Sequence, residues 1–208
     1  MDIVQFDPKL PVLDLPGKMR LPQIGMFAPS VLEIQKSLEV IAVGLERYQR
    51  LQAKASECDV ATDIEFQRLF DGFYRVRRSD KWRREFFTVM QESKIGGINF
   101  SGALRAIHLR TARIEASFAS KLVATLDPSK PVIDKFVLSY FNLRLPKWGS
   151  ANRVEGTIEL YNKLCTKYES LIPSDDGALI IKMFDERYPN AAIENIKKID
   201  LVLWQIRR

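Results

Sequence analysis

The sequence predicts an all-α fold, a compact bundle of about nine helices. Apolar residues recur at the spacing of an amphipathic helix along most of the 208 residues, and no stretch alternates convincingly like a strand. Residues that cap helices precede many of these stretches. Since 46% of the residues are hydrophobic, the chain can bury a substantial core. We expect one compact all-α domain over residues 30–208, or the same helices arranged as two lobes with a cleft between them.

Residues 1–29 are predicted to form an arm, because they contain five of the ten prolines and cannot form a long helix. Apolar side chains such as Val12, Leu13 and Phe27 argue against a freely solvated tail, so we expect the arm to dock on the helical domain. The segment lacks the basic start and uninterrupted apolar run of a signal peptide. No stretch approaches the roughly 20 apolar residues of a membrane span, so we expect a cytoplasmic protein without a membrane partner.

Capping residues in the sequence predict the first four helices. Ser30 with Glu33 forms a capping box ahead of a long amphipathic helix that reaches about residue 53. Thr62 with Glu65 repeats this signal ahead of a second helix that runs toward residue 78. Ser79 or the residue after it can cap a third helix, which the glycine pair at residues 96–97 ends. A fourth helix is expected from a cap at residue 101.

A central stretch, residues 111–141, is predicted to form a helix, a short proline-containing turn and a second helix. Ala116, Ala119 and their serine neighbours would let the first helix approach another helix closely. Pro131 then leads to Asp134 in the first turn of the next helix, where the helix dipole favours a carboxylate. Three further helices are expected: one from Ser150 to the proline at residue 173, one from residue 174, and one over residues 191–205.

The net charge of +6 favours a polyanionic partner, although a basic protein without such a partner is the alternative. Residues 73–87 form the densest basic and aromatic segment of the chain. We interpret them as a candidate phosphate-contacting surface. The alternative is a solvated helix face whose aromatic side chains build the core. The candidate DNA-contacting residues of this segment are Arg77, Arg78, Arg83 and Arg84.

Residue counts exclude several kinds of site. His108 is the only histidine, and we interpret it as a packed side chain and not a general base. On this count we expect neither a multi-histidine metal site nor a histidine-dependent triad. Cys58 and Cys165 are too few for an iron–sulfur cluster or a four-thiolate zinc site. We therefore expect no metal, iron–sulfur cluster or other cofactor.

Residues 113–134 resemble the helix-hairpin-helix DNA glycosylase superfamily. In that superfamily a hairpin of the form GVG-x-K/S-x-A is followed by a helix and then by a PILD-type segment. Here RIEASFA stands in the place of the hairpin, and PVID at residues 131–134 matches the second segment residue by residue. Arg113 and Glu115 depart from the pattern because they occupy its two glycine positions.

The resemblance implies a helix-hairpin-helix glycosylase-like fold and a DNA repair hydrolase. Asp134 would stabilise the positive charge that develops on the sugar as a flipped base departs, and would orient water. Ser117 stands at the nucleophile-equivalent position, where bifunctional members carry lysine, so a monofunctional mechanism is expected. Lys121, one turn later, would be the nucleophile only in a different hairpin register.

The resemblance also implies DNA contacts near the motif, from Arg113, Lys121, Lys130 and Lys135. The aromatic residues available for a base pocket are Phe118, Tyr140, Phe141 and Trp148. Two alternatives stay open. The altered glycine positions favour a non-catalytic nucleic-acid-binding or protein-interaction module of the same fold, and a helical interaction protein unrelated to DNA is the third reading. In either case Asp134 would serve only to start its helix.

Overall fold

Nine α-helices and no strand make up the described part of the chain, residues 27–97 and 99–206 of a computed structural model. The prediction of an all-α protein is confirmed. The helices are α1 (Val31–Glu57), α2 (Ile64–Tyr74), α3 (Asp80–Gly96), α4 (Phe100–Thr111), α5 (Ala116–Leu126), α6 (Lys135–Tyr140), α7 (Arg153–Leu171), α8 (Asp175–Arg187) and α9 (Asn195–Leu203).

Local capping explains several helix starts. The capping box of Ser30 and Glu33 is present at α1, and Ser79 caps α3 by accepting from the backbone N–H of Trp82. Each cap satisfies an amide that has no partner within its helix. The predicted start of α8 is also confirmed, because Ser174 caps it.

Other predicted boundaries differ by a few residues. Asp63 caps α2 where the sequence suggested Thr62, since its carboxylate accepts from the N–H of Phe66 at 2.8 Å. Asn99 caps α4 two residues before the expected position. Helix α2 ends at Tyr74, short of residue 78, because Arg75 adopts the left-handed conformation with φ of 54°.

Helix α5 lies at the centre of the bundle. It contacts α1 on one side and α4 on another, while α1 also packs against α2, α8 and α9. Ala119 and Ala124 are fully buried, as expected for small residues that permit close helix packing. Buried apolar side chains from all nine helices form one contiguous cluster. No helix of the described residues is long and apolar enough to cross a membrane.

The link between α5 and α6 is held tightly against α5. Ser120 Oγ donates to the carbonyl of Ser117 at 2.9 Å and accepts from the N–H of Ile133 at 2.8 Å. The hydroxyl of Tyr161 donates to the carbonyl of Pro131 at 3.2 Å. These buried bonds set the position of the residue that follows, Asp134.

The predicted N-terminal arm lies outside the described residues except for its last three. Of these, Phe27 packs edge-on against Tyr140 of α6, with ring centroids 5.1 Å apart. The remainder of the docking prediction concerns residues 1–26 and stays a prediction.

Candidate active site

Asp134 and Lys121 line the same cavity, which has a volume of about 410 Å³. Its walls come from α1, α2, α5, α9 and the start of α6, so it collects side chains from distant parts of the sequence. The cavity lining consists of Val40, Ile41, Gly44, Arg47, Gly72, Phe73, Tyr74, Arg75, Lys121, Asp134, Phe136, Leu201, Trp204 and Gln205. We call this space the Lys121–Asp134 cavity.

Asp134 has a structural role in addition to lining the cavity. It is the N-cap of α6, and its Oδ1 accepts from the N–H of Phe136 at 2.8 Å. The residue is half-buried. A carboxylate has two oxygens and room for several donors, so one capping bond leaves capacity for a ligand. Asp134 therefore both starts a helix and presents an acid to the cavity.

Lys121 is a half-buried lysine without a carboxylate partner among the described residues. Its Nζ lies 5.4 Å from the ring centroid of Tyr74 and 5.0 Å from that of Phe118. Burial lowers the pKa of the Lys121 ammonium, and the charge of Asp134 opposes part of that change. The side chain is therefore easier to deprotonate than an exposed lysine, which makes its amine a better nucleophile.

Ser117, at the nucleophile-equivalent position of the family pattern, does not line this cavity. Its described bond is made by its backbone carbonyl, which accepts from Ser120 Oγ. Lys121 lies one helical turn further along α5 and does line the cavity. The structure thus brings together Lys121 and Asp134, and leaves Ser117 apart from them.

The aromatic wall of the cavity differs from the one that sequence position suggested. Phe73, Tyr74, Phe136 and Trp204 line it. The candidates near the motif lie elsewhere: Tyr140 and Phe141 are buried in the core, and Phe118 is buried beneath Lys121. Trp148 is 81% exposed and stacks under the guanidinium of Arg153.

The turn between α4 and α5, residues 112–115, stands where the glycosylase hairpin would be. Glu115 there is only 12% exposed and is held by two arginines. Arg78 contacts both of its oxygens, with Nε–Oε1 at 3.1 Å and Nη2–Oε2 at 3.0 Å. Arg113 adds a contact at 3.1 Å. Two guanidinium groups thus neutralise the carboxylate that stands at a glycine position of the family pattern.

A basic groove of about 590 Å³ lies beside this turn. Five cations line it, together with the single carboxylate of Glu85: Arg77, Arg78, Lys81, Arg110 and Arg113. Leu109 projects at its edge and is 86% exposed. We call this surface the basic groove.

The basic groove and the Lys121–Asp134 cavity are neighbours. The ring of Phe118 has the guanidinium of Arg78 at 5.0 Å and the ammonium of Lys121 at 5.0 Å from its centroid. One aromatic side chain therefore separates a cation of the groove from a cation of the cavity.

The other predicted DNA-contacting residues are dispersed. Arg83 and Arg84 line a separate depression with Asp71 and Asp80, and Arg83 pairs with both of those acids. Lys135 is exposed above the ring of Phe136. Within residues 73–87 the aromatic side chains of Trp82, Phe86 and Phe87 are buried, so the interpretation of these aromatics as core is confirmed.

A larger concavity, about 820 Å³, lies at the C-terminal end of α5 and includes Lys130 and Cys165. Lys130 there is 3.9 Å from Asp127, and the Lys94 amine donates to two backbone carbonyls. This space has more room, but its two lysines contact a carboxylate or backbone carbonyls. Among the described residues no group of three or more His, Cys, Asp or Glu side chains could hold a metal ion.

Sequence reasoning missed Arg47, Arg75 and Trp204 as residues of the cavity. They come from α1, the end of α2 and the residue after α9, and no local pattern connects these segments. Of the three, only Arg75 could have been suspected from the sequence, because it lies in the dense basic segment of residues 73–87. No protein-family model, curated protein or solved structure matches the chain, so its function has to be inferred from the chemistry of the cavity and the groove.

Proposed function

We propose that the protein binds DNA and cleaves the N-glycosidic bond of a base turned out of the duplex into the Lys121–Asp134 cavity. The observation that carries this proposal is an amine of lowered pKa, without a carboxylate partner among the described residues, in one cavity with Asp134. The cavity volume of about 410 Å³ is within the range of roughly 300–1,000 Å³ that is usual for ligand pockets. Its aromatic lining suits a flat ring.

Asp134 has the charge that this reaction needs. As the bond to the base breaks, positive charge develops on the sugar, and a nearby carboxylate lowers the energy of that state. The capping bond to the N–H of Phe136 restrains the carboxylate, so less reorientation is needed during the reaction. With water as the nucleophile, Asp134 would also orient the water, which is the monofunctional route expected from the sequence.

Lys121 supports a second route through the same site. Its neutral amine forms a bond to C1′ while the bond from C1′ to the base breaks. The departing base keeps the electron pair and acquires a proton, and the amine loses one. Opening of the sugar ring then gives an imine, which water hydrolyses. The lowered pKa of Lys121 favours the neutral amine that this route requires.

The basic groove supports DNA as the partner. Arg78 and Arg113 pair with Glu115, and Arg110 pairs with Glu85 and Glu92. Five cations still outnumber these three carboxylates, and the excess positive charge suits a phosphate backbone. Phe118 joins the groove to the cavity, so a duplex held in the groove would lie close to the reactive groups. The pairing of Glu115 with Arg78 and Arg113 removes one repulsive charge from this surface.

Borohydride trapping tests both routes. Duplexes that each carry one modified base are incubated with the protein, and base release is measured with and without borohydride, which reduces an imine to a stable covalent link. We expect a trapped protein–DNA complex that is lost in Lys121→Met, and base release that is lost in Asp134→Asn. Lys182→Met is the matched control, since Lys182 is an exposed lysine of α8.

The outcomes separate the alternatives. Base release without trapping, retained in Lys121→Met, would identify water as the nucleophile. Salt-dependent DNA binding with neither release nor trapping would support the non-catalytic module, which the substituted hairpin glycines favour. Absence of DNA binding at modest salt would contradict both.

A further inference from the structure

A buried ion pair lies behind one wall of the Lys121–Asp134 cavity. Lys197 and Asp200 are both 0% exposed, and Nζ of Lys197 lies 3.0 Å from Oδ2 of Asp200. The hydroxyl of Tyr168 donates a short hydrogen bond to the other oxygen, Oδ1. The carboxylate is therefore held between an ammonium and a hydroxyl in the core.

The positive end of this pair faces aromatic rings. Nζ of Lys197 lies 5.3 Å from the ring centroid of Tyr48 and 5.3 Å from that of Trp204. Trp204 lines the cavity, whereas Lys197 does not. The ammonium already occupies one attractive face of a ring that contributes to the cavity wall.

The cavity lining carries a positive excess as well. Its cations are Arg47, Arg75 and Lys121, and Asp134 is the one carboxylate among the described residues that line it. Two arginines outnumber the single acid even when the Lys121 amine is neutral. The exposed arginines are screened by solvent, while the buried Lys197–Asp200 pair is screened much less and has its ammonium on the side of Trp204.

We propose that the cavity selects neutral or anionic bases over cationic, N-alkylated bases, and that Lys197 is a specificity-determining residue acting through Trp204. This proposal rests on the proposed function, because it takes the occupant to be a nucleobase. A cationic base stacked in the cavity would meet a ring whose attraction for cations is already used by Lys197. It would also meet the positive end of the Lys197–Asp200 pair, because the ammonium lies on the Trp204 side of that pair.

Two methylated nucleosides that are isomers of each other provide the test. N1-methyladenosine is cationic at neutral pH and N6-methyladenosine is neutral, so the pair differs in charge but not in composition. Binding is measured by quenching of tryptophan fluorescence, with Trp204→Phe identifying the part of the signal that comes from the cavity. We expect the neutral isomer to bind about tenfold more tightly than the cationic one, which corresponds to a modest charge effect.

Variants test which residues produce the preference for the neutral isomer. Lys197→Met combined with Asp200→Asn removes both buried charges and leaves an amide for Tyr168, and we expect it to reduce the preference to about threefold or less. Arg47→Gln alters only an exposed side chain of α1, and we expect a loss of about twofold. Lys182→Met should leave the preference unchanged. If the double variant does not fold, as judged by circular dichroism, Arg47→Gln and the wild-type isomer ratio still test the proposal.

Three failures are distinguishable. Equal quenching by both isomers, or tighter binding of the cationic one, would overturn the selectivity while leaving a base-binding cavity. Absence of Trp204-dependent quenching by either isomer, together with absence of base release from every duplex, would overturn the proposed function itself. An unchanged preference in the folded double variant would overturn the role of Lys197.

Discussion

Lys121 and Lys197 are two lysines in similar aromatic surroundings that differ in burial and in their contact with a carboxylate: Lys121 is half-buried and Lys197 is fully buried. The Nζ of Lys121 lies 5.4 and 5.0 Å from two ring centroids, and that of Lys197 lies 5.3 Å from two. Lys197 is also 3.0 Å from a carboxylate oxygen of Asp200. Lys121 senses Asp134 only through its charge and has no ion pair among the described residues.

The two pKa shifts are opposite as a result. Burial favours the neutral amine in both cases. For Lys197 the contact with Asp200 more than offsets burial, so its pKa is raised. For Lys121 the more distant charge of Asp134 offsets only part of it, so its pKa is lowered. The contacting carboxylate thus keeps Lys197 protonated, whereas Lys121 loses its proton more readily than an ordinary lysine.

The largest expected difference is in stability. Lys197→Met leaves the carboxylate of Asp200 buried without its counter-charge, and we expect a loss of about 3–5 kcal/mol in the free energy of unfolding. Lys121→Met removes an amine whose ionisation burial disfavours, and we expect a change within about 1 kcal/mol. Urea unfolding followed by circular dichroism measures both. Adding Asp200→Asn to Lys197→Met should recover most of the lost stability. Equal losses from Lys197→Met and Lys121→Met would contradict the distinction between the two lysines.

An intermediate effect is expected at Asp134, which serves both α6 and Lys121. Asp134→Ala removes the cap of α6 and should lower the free energy of unfolding by about 0.5–2 kcal/mol. Asp134→Asn keeps an oxygen that can accept from the N–H of Phe136 and should cost less. Both variants remove the charge that raises the pKa of Lys121. Identical stability of the two variants would show that the capping bond contributes little.

Chemical labelling at different pH values compares the two amines directly. Lys121 should react with an amine-specific reagent at lower pH than an ordinary lysine of pKa 10.5, because burial lowers its pKa. Asp134→Asn should lower that pH further. Lys197 should stay unlabelled in the folded protein, since it is fully buried and protonated. Mass spectrometry of peptides at each pH gives the profiles, and coinciding profiles for Lys121 and Lys182 would contradict the assignment.

The smallest expected effect is the pH dependence of stability, where the two lysines have opposite signs. The contribution of Lys197 is present below its unfolded pKa near 10.5 and is lost as pH rises above it through the raised folded value. Charging Lys121 costs stability below its lowered folded pKa, and this cost disappears as pH rises toward 10.5. Urea unfolding of wild type and Lys121→Met across this range should converge with increasing pH.

Local sequence signals predicted much of the fold because local bonds determine it. The capping box of Ser30 and the cap at Ser79 are interactions within one turn, and both were predicted correctly. The prediction of Asp134 at the start of a helix also follows from its own turn. The cavity lining could not be predicted in this way, because Arg47 and Trp204 approach Asp134 only when α1 and α9 pack together.

Glu115 shows the same limit for charge. Compared with the glycine of the family pattern, a glutamate at this position would be expected to repel a phosphate. Its bidentate partner, Arg78, comes from the segment before α3 and cannot be identified from spacing. Likewise the helical period places Ser117 and Lys121 on similar faces of α5, and only the position of the segment after α5 determines which of them meets Asp134.

The hydroxyl of Ser120 has a consequence for how this site can change over time. It holds the N–H of Ile133, and these two residues directly precede Lys121 and Asp134. A bond one residue upstream of each thus helps to set the separation of amine and acid, together with the bond from Tyr161 to the carbonyl of Pro131. The side chains of residues 127–130 can therefore vary without breaking this link between amine and acid, whereas loss of the Ser120 hydroxyl would remove one of the two side-chain bonds that hold the segment before Asp134.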